Sequence, residues 1–247
     1  MLQRIATFGI KTTLVETRDF AALVSGLADS PNQSVFFCNV HMLMLAQDDK
    51  VLANAMDNAD IVFADGVPIA WLQSQLTDKD AKVVRGYEIM LAVCEKAAKN
   101  GEKVGFYGST PEVIKSLIDN LCIQFDDLKI AYQMCPPFEE GEVVSPVEDL
   151  QAINESEITW LFVGLGCPKQ EKWIDKYNSE LRCNVLGVGA AFDWLSGLTN
   201  KPPKWMEKYA LAWIYRLFQD PAGMWHRYMK YNTKFMLEVF KLTFASK

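Results

Sequence analysis

The chain has 247 residues, of which half are hydrophobic and 23% are charged. This length and composition exclude an intrinsically disordered protein, and they fit either one large domain with an appendage or two small domains. The net charge of −6 argues against nucleic acid as a partner.

The N-terminal sequence and the cysteines indicate a cytoplasmic protein that is soluble or peripheral. Polar Thr and Lys residues interrupt the apolar run near the N-terminus before it reaches the length of a signal-peptide core. No stretch approaches the roughly 20 apolar residues that a spanning helix requires. The six cysteines are scattered without a CxxC pair, which predicts reduced thiols and no zinc site.

Short β-branched and aromatic runs alternate with helical patterns before residue 199. The runs at 34–40, 60–64, 103–107, 129–133, 158–163 and 184–188 are typical of strands. The patterns at 48–59, 86–99 and 111–125 are typical of amphipathic helices. This alternation predicts an α/β fold with a Rossmann-like, mainly parallel sheet and flanking helices.

The residues that follow the predicted strands are candidates for a ligand site, because ligands bind beyond the carboxyl ends of the strands in an open parallel sheet. Several are glycine turns, which let backbone N–H groups approach a phosphate. The predicted binding residues at these ends are Asn39, Gly66, Gly108, Gly166 and Asp193. Phe192 stands where the third glycine of GxGxxG would follow Gly187-Val188-Gly189. One function that a Rossmann-like fold with glycine turns could have is that of a nucleotide-binding oxidoreductase. The missing third glycine counts against this alternative.

Asp65 follows the apolar run IVFA and precedes Gly66. One interpretation is an N-cap for a helix over 67–76. The other is a general base, because direct glycosyl transfer requires a carboxylate within hydrogen-bond reach of the acceptor hydroxyl. From this pattern both interpretations stay open.

Asp78-Lys79-Asp80 has the DxD spacing with which many sugar transferases hold a divalent metal. The motif lies in the polar stretch QSQLTDKDAK and does not follow a buried strand, so we interpret it as a solvated loop. We therefore predict neither a metal nor a cofactor. Without a metal, backbone N–H groups and Arg or Lys side chains must stabilise the negative charge of a departing diphosphate.

A further helix is predicted to begin at Pro168, directly after Gly164-Leu165-Gly166. Its first turn is either an ordinary helix start or a set of contacts to a nucleotide sugar above the strand ends. The candidates for those contacts are Lys169, Gln170 and Glu171. His41 and His226 lie far apart in the sequence without partner spacing, so we assign them no chemistry.

The composition changes after residue 198. Residues 201–247 carry nine Lys and Arg against three Asp and Glu, a net charge of +6, whereas residues 1–200 carry 16 against 28, a net charge of −12. The same tail holds 11 of the 29 aromatic residues. We predict two amphipathic helices, over 203–218 and 221–245, whose aromatic side chains either pack on the core or insert into an anionic membrane surface. The predicted division is a Rossmann-like core over 1–198 and a basic, membrane-facing appendage over 199–247.

Several separate stretches together resemble one known family. The most specific are NADIVFADGVPIAWL, FVGLGCPKQEKWI, GVGAAFDWLSG and KPPKWMEKYALAWIYRLFQDP. Over residues 34–228 the chain resembles the WecG/TagA/CpsF family of bacterial glycosyltransferases. The resemblance implies metal-independent, inverting transfer and an appendage that docks on the membrane and completes the active site. It also implies a UDP-sugar donor of N-acetylmannosamine, its uronic acid or another hexose, and an acceptor sugar linked to undecaprenyl diphosphate.

The resemblance also implies roles for single residues. Asp65 matches the family's catalytic base, Asn39 and Gln170 match polar contacts to donor or acceptor, and Arg216 matches a contact to the diphosphate. Together with the residues named above, Arg85 and Arg227 complete the predicted substrate-binding set.

The sequence departs from the family pattern where relatives carry a Thr, an Asp and three Arg. The residues found there are Phe37 for the Thr, Glu88 for the Asp, and Val83, Gly223 and His226 for the arginines. Lys82 and Arg85 are the candidate substitutes for the arginine absent at Val83. In the appendage, Arg227 is kept.

These inferences predict a glycosyltransferase peripheral to the inner face of the plasma membrane. Its predicted partners are a UDP-sugar, a lipid-linked sugar acceptor and the anionic membrane surface. Self-association into a homo-oligomer would be a further way to cover apolar surface. A second alternative also stays open, a non-catalytic membrane-surface binding protein whose tail is its whole function.

Overall fold

The computed structural model describes residues 2–137, 141 and 144–245. Within these ranges eight strands form one sheet. They are β1 Arg4–Thr7, β2 Ile10–Thr13, β3 Ser34–Cys38, β4 Ile61–Ala64, β5 Lys103–Gly108, β6 Lys129–Met134, β7 Trp160–Gly164 and β8 Asn184–Gly187. The strand order is β1-β2-β4-β3-β8-β7-β5-β6, and all neighbours are parallel except β1 and β2. The predicted α/β fold and its six parallel strands are confirmed.

The hairpin of β1 and β2 is an addition to the predicted sheet. Its two-residue turn consists of Phe8 and Gly9, with φ values of 49° and 84°, as in the turns that suit tight hairpins. β2 joins the parallel sheet through Thr13, which lies opposite Phe63. No sequence pattern predicts this hairpin, because each strand has only four residues and phenylalanine is uncommon at positive φ.

Helices cover both faces of the sheet and extend beyond it. Those that flank the sheet are α1 Phe20–Ala28, α2 Val40–Ala46, α3 Lys50–Asn58, α4 Val67–Thr77, α5 Gly86–Asn100, α6 Pro111–Gln124, α7 Val147–Glu155, α8 Lys169–Tyr177 and α9 Ala191–Ser196. The appendage consists of α10 Lys204–Lys208, α11 Ala212–Gln219 and α12 Pro221–Ala245. Alternate strand residues are buried in two apolar clusters, which therefore lie on opposite faces of the sheet.

The direction of chain progression reverses beside β3. The chain proceeds from β3 to β4 on one side, whereas β5 to β8 lie on the other side. Such a switch point opens a crevice at the carboxyl ends of the strands. Asn39 follows β3, and a glycine turn that includes Gly189 follows β8, so both border this crevice.

The predicted helix over 203–218 is wrong as a single element, because the structure divides it into α10 and α11. Ala210 lies between them with a φ of 60°. The N–H of Leu211 donates to Met206 O at 2.7 Å, and that of Ala210 donates to Glu207 O at 3.4 Å. These bonds form a Schellman C-cap, in which a left-handed residue ends the helix. The sequence does not predict this helix end, because the left-handed position that ends a helix is usually occupied by glycine and here it is alanine.

One stripe of α12 packs on the core. Tyr231 and Phe235 are buried, and the ring of Tyr231 stands edge-on to that of His41 in α2, with centroids 4.8 Å apart. Lys234 Nζ donates to Asp48 Oδ1 at 2.6 Å. Packing on the core, one of the two roles considered for the appendage aromatics, therefore holds for this stripe.

The outer surface of the appendage carries large apolar side chains that remain exposed. They are Trp205, Tyr209, Phe218, Trp225, Leu237, Phe240 and Phe244. Among the described residues, no helix unites the length and the apolar character that crossing a bilayer demands.

The left-handed conformation of Ala210 predicts a stabilising substitution. We expect Ala210→Gly to raise the free energy of unfolding by about 0.5–1 kcal/mol, because relief of the Cβ clash exceeds the added chain entropy of glycine. Urea unfolding followed by the fluorescence of the appendage tryptophans would measure the change. The control is Ala152→Gly at an exposed position inside α7, which should cost about 0.5–1 kcal/mol. Destabilisation by both substitutions would contradict the left-handed cap.

Candidate active site

In the part of the chain that the structure describes, two cavities open at the carboxyl ends of the strands. The turn-side cavity, of about 450 Å³, is bordered by the turns after β7 and β8 and by the starts of α8 and α9, including Gly164, Gly166, Lys169, Gln170, Gly189 and Asp193. The appendage-side cavity, of about 380 Å³, lies between α4 and the appendage and is bordered by Gly66, Val67, Trp213, Tyr228, Phe235 and Met236. Six residues border both cavities and form their shared wall: Asn39, Asp65, Arg85, Trp194, Arg216 and Arg227.

Asp65 stands at the carboxyl end of β4, in the shared wall. Its N–H donates to Cys38 O at 2.9 Å, which continues the ladder between β4 and β3. Gly66 then turns the chain with a φ of 121°. Helix α4 begins at Val67, and no side chain among the described residues caps its N-terminus. The N-cap interpretation of Asp65 is therefore wrong, and the carboxyl group borders the cavities instead.

Burial raises the pKa of Asp65 to about 6. The residue opens onto both cavities and is partly exposed there, while protein surrounds its carboxyl group on the remaining sides. The charges of Arg216 and then Arg85 oppose this rise in pKa, whereas Glu88 and Glu207 add to it. A carboxyl group with this pKa is mostly ionised at neutral pH, yet it accepts a proton more readily than an ordinary aspartate.

Arg85 precedes α5 and is held between two carboxylates. Its Nη1 lies 3.5 Å from Glu88 Oε2, and its Nε lies 3.8 Å from Glu207 Oε2. Glu207 belongs to α10 and is buried, and the hydroxyl of Tyr87 donates to its Oε2 at 3.5 Å. These contacts join the core to the appendage and fix the guanidinium group beside Asp65.

Two further guanidinium groups reach the shared wall from the appendage. Arg216 of α11 lies over the ring of Trp194, with the guanidinium carbon 4.3 Å from the ring centroid. The Nε of Arg227 in α12 is buried and has no hydrogen-bond partner among the described residues. The wall therefore offers cationic N–H donors to an anion in either cavity.

Gln170 and Glu171 occupy the first turn of α8, but only Gln170 borders the cavity. Gln170 Nε2 donates to Glu171 Oε1 at 2.7 Å and to Gly187 O at 3.0 Å. Its Oε1 has no hydrogen-bond partner in the part of the chain that the structure describes. Glu171 is fully buried, and burial raises its pKa to about 7. Glu171 thus orients the amide of Gln170 from behind, and the Oε1 of Gln170 is a buried acceptor.

Asn39 and Asp193 border the turn-side cavity from two helix starts. Asn39 Oδ1 accepts from the N–H of Met42 at 3.1 Å as the N-cap of α2, which leaves Nδ2 as the side-chain atom that can donate to a ligand. Burial raises the pKa of Asp193, and the charge of Arg216 opposes this rise.

The predicted glycines divide between cavity and packing roles. Gly166 has a φ of 78° and open space where a Cβ would point, and it borders the turn-side cavity. Gly66 borders the appendage-side cavity. Gly108 lies outside both cavities. A Cβ at this position would come within 2.6 Å of the Gly164 carbonyl carbon. Gly108 therefore lets β5 and β7 end close together.

Three residues that border the cavities are not among the residues predicted from the sequence. Trp194 directly follows Asp193 in the block GVGAAFDWLSG, and Glu207 is one of only three acidic residues in the basic tail, so both carried a usable signal. His41, to which the sequence assigns no chemistry, borders the appendage-side cavity. Burial and the nearby charge of Arg227 lower its pKa to about 3, so its ring is neutral.

The acidic DxD motif lies apart from the cavities. Asp78 ends α4 in a left-handed conformation, and Asp80, which pairs with Lys82, is exposed in the loop that follows. Neither side chain borders either cavity. No three His, Cys, Asp or Glu side chains within the described ranges gather where they could hold a metal ion.

Comparison with known proteins gives consistent matches. The model of the Glycosyl transferase WecG/TagA/CpsF family matches residues 5–247. The N-acetylglucosaminyldiphosphoundecaprenol N-acetyl-beta-D-mannosaminyltransferase of Bacillus subtilis (strain 168) is 26% identical over 204 residues, which cover 82% of this chain and 77% of that protein. The protein of the same name from Bacillus spizizenii is 28% identical over 192 residues, covering 77% and 72%. That from Staphylococcus aureus (strain MW2) is 25% identical over 190 residues, covering 76% and 73%.

The buried carboxyl of Glu171 predicts a pH-dependent contribution to stability. Its folded pKa of about 7 exceeds the ordinary 4.5, so its contribution is full below the ordinary pKa and is lost as the pH rises through about 7. Glutamine cannot ionise, so the variant does not lose this contribution as the pH rises. We therefore expect the free energy of unfolding of Glu171→Gln minus that of wild type to be larger at about pH 8 than at about pH 5. Urea unfolding of both proteins at the two pH values measures this difference.

The matched control for this prediction is Glu95→Gln, which removes an exposed carboxylate from α5. It measures how much of any pH dependence comes from the loss of one surface charge. A difference between wild type and Glu171→Gln that is the same at both pH values would contradict the raised pKa.

Proposed function

Because the chain belongs to the WecG/TagA/CpsF family and is a glycosyltransferase, we propose that it transfers N-acetylmannosamine from a UDP-sugar to N-acetylglucosamine on undecaprenyl diphosphate. The names of the relatives support this donor sugar and this acceptor. The observation that carries the proposal is the position of Asp65, a carboxylate with a raised pKa in the wall between two cavities. A base at that position reaches an acceptor in one cavity and a donor in the other.

The donor occupies the turn-side cavity in this proposal. The glycine turns after β7 and β8 bring backbone N–H groups towards its diphosphate. Gln170 borders this cavity and contacts the donor there. Asn39 Nδ2, Lys169 and Asp193 contact the donor from the same cavity.

The acceptor sugar enters from the appendage-side cavity and places its hydroxyl against Asp65. The hydroxyl oxygen attacks the anomeric carbon of the donor while Asp65 takes the proton. The bond from that carbon to the diphosphate oxygen breaks, and UDP leaves with the electron pair. Attack from the face opposite to the leaving group inverts the configuration at the anomeric carbon.

Arginine side chains stabilise the negative charge of the departing diphosphate, so the proposed reaction requires no metal. Arg216 and Arg227 contribute from the appendage, and Arg85 contributes from the core. We assign to Arg85 the role of the arginine absent at Val83. Lys82, the other candidate, pairs with Asp80 and lies outside both cavities.

The appendage, residues 199–247, is in this proposal a separate unit that docks the enzyme on the inner face of the plasma membrane. Its exposed aromatic side chains insert between headgroups, and its positive charge attracts anionic lipid. The net charge of +6 over residues 201–247 supports this assignment. The core, residues 1–198, supplies the catalytic base and the donor cavity.

Replacing the base tests the proposed chemistry directly. We expect Asp65→Asn to lower transfer about 10²-fold or more, because general-base catalysis contributes at least that much. The assay is UDP release in EDTA from UDP-N-acetylmannosamine, its uronic acid, UDP-glucose and UDP-glucuronate, with a lipid-diphosphate-N-acetylglucosamine acceptor. The kcat/KM of wild type should rise with pH and level off above about 6, where Asp65 is ionised.

The matched control for the base is Asp78→Asn, which makes the same chemical change at a left-handed position outside both cavities, where asparagine is well tolerated. It should retain wild-type transfer. Near wild-type transfer by a folded Asp65→Asn protein would overturn the assignment of the base.

A second pair of variants separates the two candidate cations. We expect Arg85→Gln to lower kcat/KM by about 10- to 100-fold, the effect of losing a charge-assisted hydrogen bond. It should also move the pH midpoint upwards, because a positive charge that lowers the pKa of Asp65 is removed. Lys82→Gln should leave both quantities unchanged. A loss confined to Lys82→Gln would reverse the assignment.

A further inference from the structure

An apolar groove runs along the outer end of the appendage, between α4 and α12. This tail groove, of about 310 Å³, is bordered by Trp71 of α4 and, on α12, by Phe235, Met236, Val239, Phe240 and Phe244. The α12 residues recur at the spacing of a single helical face. From Phe235 to Phe244 the face extends about 14 Å at the α-helical rise.

The tail groove continues the appendage-side cavity. Phe235 and Met236 border both. The inner end of the cavity holds Asp65 and arginines, whereas the groove beyond Phe235 is lined almost entirely by carbon. The surface therefore passes from charged to apolar along one continuous path, as a lipid-diphosphate-sugar does along its length.

The lining of the groove is apolar and open to solvent. Trp71 is 45% exposed and Phe240 is 60% exposed, and the rings of Phe240 and Phe244 lie 4.2 Å apart. Thr243 also borders the groove, but its hydroxyl donates to Val239 O at 2.9 Å. Exposed apolar surface of this kind is a site for an apolar ligand.

We infer that the tail groove binds the part of the acceptor's hydrocarbon chain nearest the diphosphate. This inference rests on the proposed function, because it assumes a lipid-linked acceptor in the appendage-side cavity. It adds a specificity element: affinity for the acceptor depends on the length of its lipid, through contacts that lie outside the catalytic wall.

Two acceptors test this inference. Both carry the same diphosphate-sugar, one with a methyl group and one with a long alkyl chain, and both are assayed without vesicles below the micelle concentration. Trp71→Ser and Phe240→Ser should raise KM for the long-chain acceptor about 3- to 10-fold, as loss of a partly buried aromatic contact predicts. KM for the methyl acceptor should not change. The control is Ile123→Ser, an 80% exposed apolar residue of α6 in the core, outside the groove and both cavities, which should leave both KM values unchanged.

Each other outcome overturns the inference in a distinguishable way. An equal rise of KM for both acceptors would mean that the substitutions act through the fold. Unchanged KM values with weaker flotation on anionic vesicles would mean that the groove meets only bulk lipid. Conversion of a dimer to a monomer by Phe240→Ser, measured by light scattering, with unchanged KM values would mean that a second copy covers it. Failure of the wild type to transfer to either acceptor would overturn the proposed function itself.

Discussion

The rest of the candidate site depends on the electrostatic interaction between the buried Asp65 carboxyl group and the arginines beside it. Burial disfavours the ionised carboxyl group, and the charges of Arg216 and Arg85 oppose this effect, which leaves a pKa of about 6. One of these arginines comes from α11 and the other from the residue before α5. The ionisation of Asp65 is therefore coupled to the packing of the appendage on the core.

Several contacts of different kinds hold the appendage in that position. The buried Glu207 of α10 lies 3.8 Å from Arg85, and Lys201 Nζ lies 3.2 Å from the centroid of the Tyr87 ring. Farther along, the stripe of α12 around Tyr231 packs on α2. The break at Ala210 ends α10 before α11, so that two short helices instead of one follow the core. The arginines reach the crevice because these contacts act together.

Much of the fold and of the site's location is predictable from local patterns. Six strands are evident as β-branched and aromatic runs, and the rule that ligands bind beyond strand ends leads directly to Asp65 and Gln170. The remaining features depend on tertiary context. Whether Asp65 caps α4 depends on where the helix begins, and the N-cap position is occupied by Gly66. The packing role of Gly108 depends on its approach to β7, which no local pattern encodes.

The shared wall makes the occupancy of one cavity depend on that of the other. Arg85, Arg216 and Arg227 border both, so in the proposed reaction a nucleotide diphosphate and a lipid diphosphate would draw on the same three positive charges. Two anions that share cations bind with an unfavourable coupling free energy, and thermodynamic reciprocity requires that each weakens the other by the same factor. In the proposed reaction, donor and acceptor before transfer, and UDP and the extended lipid after it, would thus lower each other's affinity.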